Sequence, residues 1–132
     1  MDGPLSVSIR PLQDGDFQAW KQLWHAYLTF YETTVEDIVY ETSFDRIRSA
    51  QNLSQNGLVA EEDGVLVGLA HYIFHPHNWK IEDVCYLQDL YVAPEFRGCG
   101  VGRMLIEEVY AASDAHDISS VYWLTQDFNK PA

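Results

Sequence analysis

Arg97-Gly98-Cys99-Gly100-Val101-Gly102 constrains this chain more than any other six residues. The apolar run Tyr86-Leu87-Gln88-Asp89-Leu90-Tyr91-Val92 precedes it, and a helical pattern from Val101 to Ala112 follows. A strand, a glycine-rich turn and a helix start, in that order, expose the unpaired N–H groups of a first helical turn, where the helix dipole adds partial positive charge. Glycine lets the backbone come close to a phosphate and take up dihedrals closed to other residues. The segment reads as a cradle for a phosphorylated ligand.

The remaining elements decide which ligand. Leu5, Val7 and Ile9 alternate with polar residues and predict a strand that stops at Pro11. Asp14 or Asp16 can cap a helix carrying Phe17, Trp20, Trp24, Tyr27/Leu28 and Tyr31 at helical spacing. That stripe packs on a sheet, or its last members (Tyr27, Phe30, Tyr31) line a pocket. Thr42 or Ser43 is expected to cap a second, shorter helix containing Phe44, Ile47 and Arg48, with Asn56-Gly57 ending the segment. Asp63-Gly64 between Leu58–Ala60 and Val65–Val67 is a hairpin signal. Strands are expected to Phe74, from Val84 to Val92, and over Val121–Thr125, with a helix from Gly100 to about Asp114. The order β-α-α-β-β-β-α-β predicts an antiparallel sheet whose last pair, joined by a β-α-β crossover, is parallel.

The chain has 132 residues, enough for one domain with a modest core. Hydrophobic content of 47% marks it as folded. Its formal charge of −12 repels nucleic-acid phosphates and anionic membranes, so neither is expected as a partner. That charge favours a cationic co-substrate such as an amine or polyamine, or serves only solubility. Cys85 and Cys99 show no CxxC spacing, which fits a reducing cytoplasm. No signal-peptide pattern opens the chain, and no apolar run approaches membrane-spanning length.

A Rossmann fingerprint belongs on the first βα turn, with an acidic residue about twenty positions on; here the loop follows the fourth strand. A Walker loop needs Gly-Lys-Ser/Thr, which is absent. The segment Gln88 to Gly102 instead resembles the acetyl-CoA-binding motif of the GNAT (Gcn5-related) N-acetyltransferases, Arg/Gln-x-x-Gly-x-Gly/Ala after a strand end. Ile9-Arg10-Pro11 with Asp14 and Asp16 looks like that family's opening strand and helix. Val121-Tyr122-Trp123-Leu124-Thr125 with Asn129 looks like the strand and asparagine that follow the cofactor helix. Tyr86–Val92, Arg97–Gly102 and Val121–Thr125 are most similar to the histone, polyamine and diamine acetyltransferase branch.

The resemblance covers nearly the whole chain and implies a mixed α/β fold, a mostly antiparallel sheet with a splayed parallel strand pair and helices on both faces. It implies that the backbone of Arg97, Gly98, Cys99, Gly100, Val101, Gly102 and Arg103 holds the acetyl-CoA pyrophosphate. Strand residues Leu90, Tyr91 and Val92 would pair with the pantetheine arm, and Asn129 would reach the cofactor. A primary amine, from a polyamine, diamine, amino-acid derivative or protein lysine, would attack the thioester directly. A base would deprotonate the ammonium, and a backbone N–H near Leu90 would stabilise the oxyanion. Many members of the family are homodimers, which exposed aromatics here would permit.

Two departures stand out. Relatives in that branch carry Glu-Asp where this chain has Gln88-Asp89, and Gln88 has no useful basicity. Gln88 could orient water or substrate; Asp89, Glu82, His71 and the tyrosines remain as candidate bases, and Asp89 could equally be a structural carboxylate. The family also continues past the asparagine with a helix and one or two strands, so residues 1–132 read as one domain cut after its fifth strand. A non-catalytic acetyl-CoA-binding module is the rival function. Tyr31, Glu32 and Glu36, with Asp37, Tyr40 and Glu41, read either as an amine-binding groove or as a solvated loop. His71, His75 and His77 lack placed acidic or cysteine partners, so no metal is expected. Cys99 lies in the cradle at a position that varies in the family's motif and is not expected to act as a nucleophile.

Overall fold

In the computed structural model, residues 6–124 are described. They form one five-stranded sheet of order β1-β2-β3-β4-β5: β1 (Val7–Pro11), β2 (Gln55–Glu62), β3 (Val65–His75), β4 (Val84–Val92) and β5 (Val121–Tyr122). Helices α1 (Phe17–Phe30) and α2 (Asp37–Arg48) follow β1, and α3 (Val101–Ala115) links β4 to β5. β1 through β4 are antiparallel neighbours and β4–β5 is parallel, as the crossover requires.

Two apolar layers sandwich the sheet. On one face Trp20, Trp24 and Leu28 of α1 and Tyr40 and Phe44 of α2 pack against Val59 and Leu69. On the other, Val101, Leu105 and Val109 of α3 cover Ala60, Ala70, Cys85 and Leu87. Their i, i+4 spacing gives α3 a continuous buried stripe. α3 seats closely because Gly68 lies beneath it: a Cβ there would meet Tyr91 O at 3.1 Å and Leu105 Cδ1 at 3.2 Å. Arg10 ties the layers at one edge. Its guanidinium grips Asp16 with Nη1 at 2.7 Å and Nη2 at 3.0 Å, while Nε donates to Glu61 at 2.6 Å.

Several sequence expectations need correction. α2 begins at Asp37, with Glu36 as its N-cap, not at Thr42 or Ser43. Its first turn, Asp37-Ile38-Val39, exposes apolar side chains and lacks a Ser/Thr cap, so it carries no helix-start signal. Asn56-Gly57 is no terminator: both lie in β2, where Gly57 faces His71 across the strand pair. Asp16 occupies the N-cap of α1, but its carboxylate bonds Arg10 and the Gln13 N–H rather than capping that helix. β5 spans two residues instead of five; Thr125 and Asn129 lie outside the described residues, as does Leu5.

Candidate active site

The glycine loop takes the shape its sequence predicts. A 3-10 turn, Pro94–Phe96, lifts the chain off β4, and Arg97 fixes the corner by donating from Nε to the Val92 carbonyl at 2.9 Å. Arg97 also lies over the Tyr91 ring, 5.4 Å from its centroid. Gly98 (φ +81°) and Gly100 (φ +86°) are left-handed, the region where a Cβ collides with the following carbonyl. Gly100 is the N-cap of α3, and the helix ladder starts with Met104 N donating to Gly100 O at 3.0 Å. The amides of Val101, Gly102 and Arg103 therefore have no intrahelical acceptor. No atom lies within 4 Å of a Cβ built on Gly98 or Gly100. Space, direction and dipole together suit a pyrophosphate.

Beside this cradle, β4 changes partners. It pairs with β3 along its length but with β5 only at Cys85 and Tyr86. From Leu87 to Val92 its outer edge has no strand partner among the described residues. That edge carries Leu90, Tyr91 and Val92, and its outward backbone groups, apart from the Val92 carbonyl that Arg97 holds, can add an extended ligand as a further strand.

A β-bulge interrupts β4 at the same level. His71 pairs with Asp89 and Tyr72 with Leu87, leaving Gln88 as the extra residue. The bulge reverses the inward–outward parity of the strand: Leu87 faces α3, while Asp89 turns toward α1. Gln88 is exposed and Asp89 is 8% exposed. Asp89 Oδ2 lies 2.8 Å from His71 Nδ1, and Trp20 Nε1 donates to His71 Nε2 at 2.9 Å. An indole nitrogen only donates, so Nε2 is the acceptor and Nδ1 carries the proton that it donates to the Asp89 carboxylate. Gly57 makes room for this ring; a Cβ there would sit 3.4 Å from His71 Cδ2 and 3.0 Å from Ile47 Cγ2.

On the solvent side, next to this chain of bonds, lies Tyr27 of α1, whose hydroxyl donates to the Gln88 carbonyl at 3.4 Å. Burial first, then the Asp89 carboxylate and Tyr31, push the Tyr27 phenol above its ordinary value, so it stays neutral. Tyr31, at the C-cap of α1, packs on Tyr27 with ring centroids 4.8 Å apart. Beneath the bulge, a cavity of about 40 Å³ is lined by Trp24, Ser43, His71 and Gln88, among others. Trp24 Nε1 is buried and has no hydrogen-bond partner among the described residues.

The structure thus brings Tyr27, Tyr31, Gln88, Asp89 and His71 together, and Glu82, His75 and His77 lie elsewhere. Glu32 and Glu36 lie exposed in the α1–α2 connection. Glu32 is the left-handed residue (φ 58°) that closes α1, with its own N–H to Thr29 O and Thr33 N–H to Leu28 O. Tyr40 is buried against Trp20 and Trp24, and with Lys21, His25, Thr34, Val35 and Asp37 it lines a cavity of about 360 Å³ between α1 and α2. Glu82 precedes β4, beside Lys80, at the strand end away from the cradle. The three histidines diverge: His71 joins Asp89, His75 meets the Tyr122 hydroxyl, and His77 accepts from Trp79 N–H. Among the described residues no cluster of three or more His, Cys, Asp or Glu could hold a metal ion. Cys99 is exposed and Cys85 buried, both as free thiols. Trp20 and the bulge carried no site signal in the sequence, because the contacts that give them a role span 51 and 18 residues.

Known proteins match this arrangement. The sequence model of the acetyltransferase (GNAT) family matches residues 19–132. A D-amino-acid N-acetyltransferase, HPA3, of Saccharomyces cerevisiae is 35% identical over 96% of this chain and 79% of its own. A thialysine N-epsilon-acetyltransferase of Sus scrofa is 34% identical over the same shares, 96% and 79%. Among solved structures, an aminoglycoside N-acetyltransferase, AAC(6')-Iy, in complex with CoA superposes with a TM-score of 0.82. It is 19% identical and covers 99% of this chain and 84% of that one, a likeness of fold.

Proposed function

The chain belongs to the acetyltransferase (GNAT) family, and from that premise we propose that this acetyl-CoA-dependent N-acetyltransferase acts on the primary amine of a small cationic molecule, an amino-acid derivative, diamine or polyamine. The observation that carries the reading is the open edge of β4, flanked by the glycine cradle at one end and the Gln88–Asp89 bulge in its middle. The backbone of Arg97 to Arg103 binds the pyrophosphate, and the Leu90–Val92 edge binds the pantetheine arm. Acetyl-CoA bound in this way supplies an activated thioester. Its carbonyl then lies against β4, where the Leu90 N–H stabilises the oxyanion.

The acceptor enters from the α1–α2 side, where Tyr27 and Tyr31 offer aromatic faces to a cation and Glu32 and Glu36 supply negative charge. Gln88 orients the acceptor or a water, since an amide takes no proton, and Asp89 is the carboxylate nearest the bulge. The names of the two relatives, which both act on amino acids, favour an amino-acid derivative over a polyamine or a protein lysine. The resemblance to the histone, polyamine and diamine branch rests on the sequences Tyr86–Val92, Arg97–Gly102 and Val121–Thr125.

A comparison of kcat/KM across free amino acids, diamines, polyamines and a lysine peptide tests the acceptor class. The expected order places a cationic amino acid or its derivative first. Preference for the lysine peptide by tenfold or more would overturn it. Glu32→Lys and Glu36→Lys are expected to raise KM for a cationic amine by about tenfold, with kcat kept; an unchanged KM would remove both from the acceptor site.

A further inference from the structure

The geometry points to a buried proton relay, Tyr27–Asp89–His71–Trp20, in which Tyr27 touches the acceptor amine, Asp89 receives its proton, and His71 and Trp20 position the carboxylate. The inference rests on the acetyltransferase reading and adds to it a proton acceptor that Gln88 cannot supply.

Four local features converge on Asp89. The bulge turns its side chain from the α3 face to the α1 face. Gly57 leaves space for the imidazole, which lies 5% exposed between indole and carboxylate. Trp20, fully buried, spends its only polar atom on His71 Nε2 and so holds the imidazole in the tautomer that donates from Nδ1. Tyr27 closes the chain where it meets solvent, over the Gln88 carbonyl. Packing alone would be served better by apolar residues at these positions, because every buried polar group must be matched. The Tyr27 hydroxyl rests on the Gln88 carbonyl at a long 3.4 Å with the Asp89 carboxylate beside it, so the step has it turn from that carbonyl to an acceptor position that Asp89 keeps after one bond from His71.

The step balances. The ammonium passes one proton to the Tyr27 oxygen as the Tyr27 O–H proton moves to Asp89, which becomes neutral. The freed amine lone pair forms the C–N bond at the thioester carbonyl, and the C–S bond breaks. A second proton leaves the nitrogen and ends on the departing thiolate, giving the amide and free CoA thiol. The proton on Asp89 then returns to solvent through Tyr27. His71 carries its own Nδ1 proton throughout.

The test is steady-state kinetics of the whole chain with acetyl-CoA and its best acceptor amine, against CoA affinity by calorimetry. Tyr27→Phe keeps the ring and its packing on Tyr31. It is expected to lower kcat by about 10- to 100-fold with the CoA Kd within twofold of wild type. His71→Leu removes the donor that holds the Asp89 carboxylate in place, and is expected to lower kcat by about tenfold with the CoA Kd within twofold of wild type. The other ionisable groups near the pair are Tyr27 and, on β4 itself, Tyr86. Tyr40 of α2 reaches it only through Trp20 and Trp24. His71→Asn, whose amide can replace the Nδ1–H donor, is expected to bring kcat back toward wild type, a rescue that loss of packing alone would not give. If His71→Leu fails to fold, Tyr27→Phe and His71→Asn still decide the matter. Wild-type turnover with Tyr27→Phe within twofold in kcat would overturn the relay and leave the acetyltransferase reading standing. No wild-type turnover on any amine would overturn both.

Discussion

Gly98, Gly100 and Gly102 lie within five residues at the turn into α3, yet they answer to different constraints. Gly100 is left-handed (φ +86°) with open space around it, so a side chain there costs backbone strain and obstructs the cradle. Gly100→Ala is expected to weaken CoA binding about tenfold or to lower stability by about 1–2 kcal/mol, read by calorimetry and thermal melting. Gly102 is helical, and an added Cβ would meet Val92 Cγ2 at an ordinary 3.7 Å. Gly102→Ala is expected to keep CoA affinity within twofold and to hold or raise stability by up to about 1 kcal/mol. Asp16 is a residue of another kind. Its bonds to Arg10 hold its carboxyl below the ordinary value, with burial opposing. A depressed folded-state value means a contribution fully present above the unfolded value, near pH 4, and lost as pH falls through the folded one. Asp16→Asn should cost about 2 kcal/mol at pH 7 and flatten the loss of stability below pH 4, measured by urea unfolding across pH. An equally steep acid limb in the variant would show that other carboxylates govern it.

At the scale of elements, α3 and α1 both end in a left-handed residue that is not glycine. In α3 it is Asp117 (φ 57°), whose N–H bonds Asp114 O while Ile118 N–H bonds Ser113 O. Asp117→Gly relieves the Cβ strain without touching those bonds and is expected to raise stability by about 1 kcal/mol, seen as a higher melting temperature. The elements also show where sequence patterns carry information. β3, β4 and α3 were legible to within a residue or so because alternation, the Asp63-Gly64 turn and an i, i+4 stripe are local signals. The start of α2 was not, because Ile38 and Val39 are exposed apolar residues without a polar cap. Gly57 mimicked a turn because Asn-Gly commonly makes one, whereas its role is to leave space for a ring fourteen positions away. The strand, glycine turn and helix start were legible because they form one contiguous motif. The surroundings of Asp89 were not, since they depend on a bulge and on contacts between β3, β4 and α1 that no window of sequence holds.

The whole molecule joins a strongly acidic surface to a local cradle for an anion. At saturating acetyl-CoA, kcat/KM for a cationic amine is expected to fall roughly tenfold as salt rises, because screening removes long-range attraction; a neutral amine should show little change. Equal salt dependence for both would mean that the charge of −12 serves only solubility. The fold supplies the rest: α3 seats on Gly68 and aims its N-terminus at the end of β4, and β4 parts from β5 after Tyr86. The most direct test of the whole account is thiol release from acetyl-CoA by the purified chain, followed with and without amine alongside CoA calorimetry. CoA binding with amine-dependent thiol release, one thiol per N-acetylated product, is the predicted result. CoA binding with no turnover on any amine would contradict it and identify a non-catalytic acetyl-CoA-binding module.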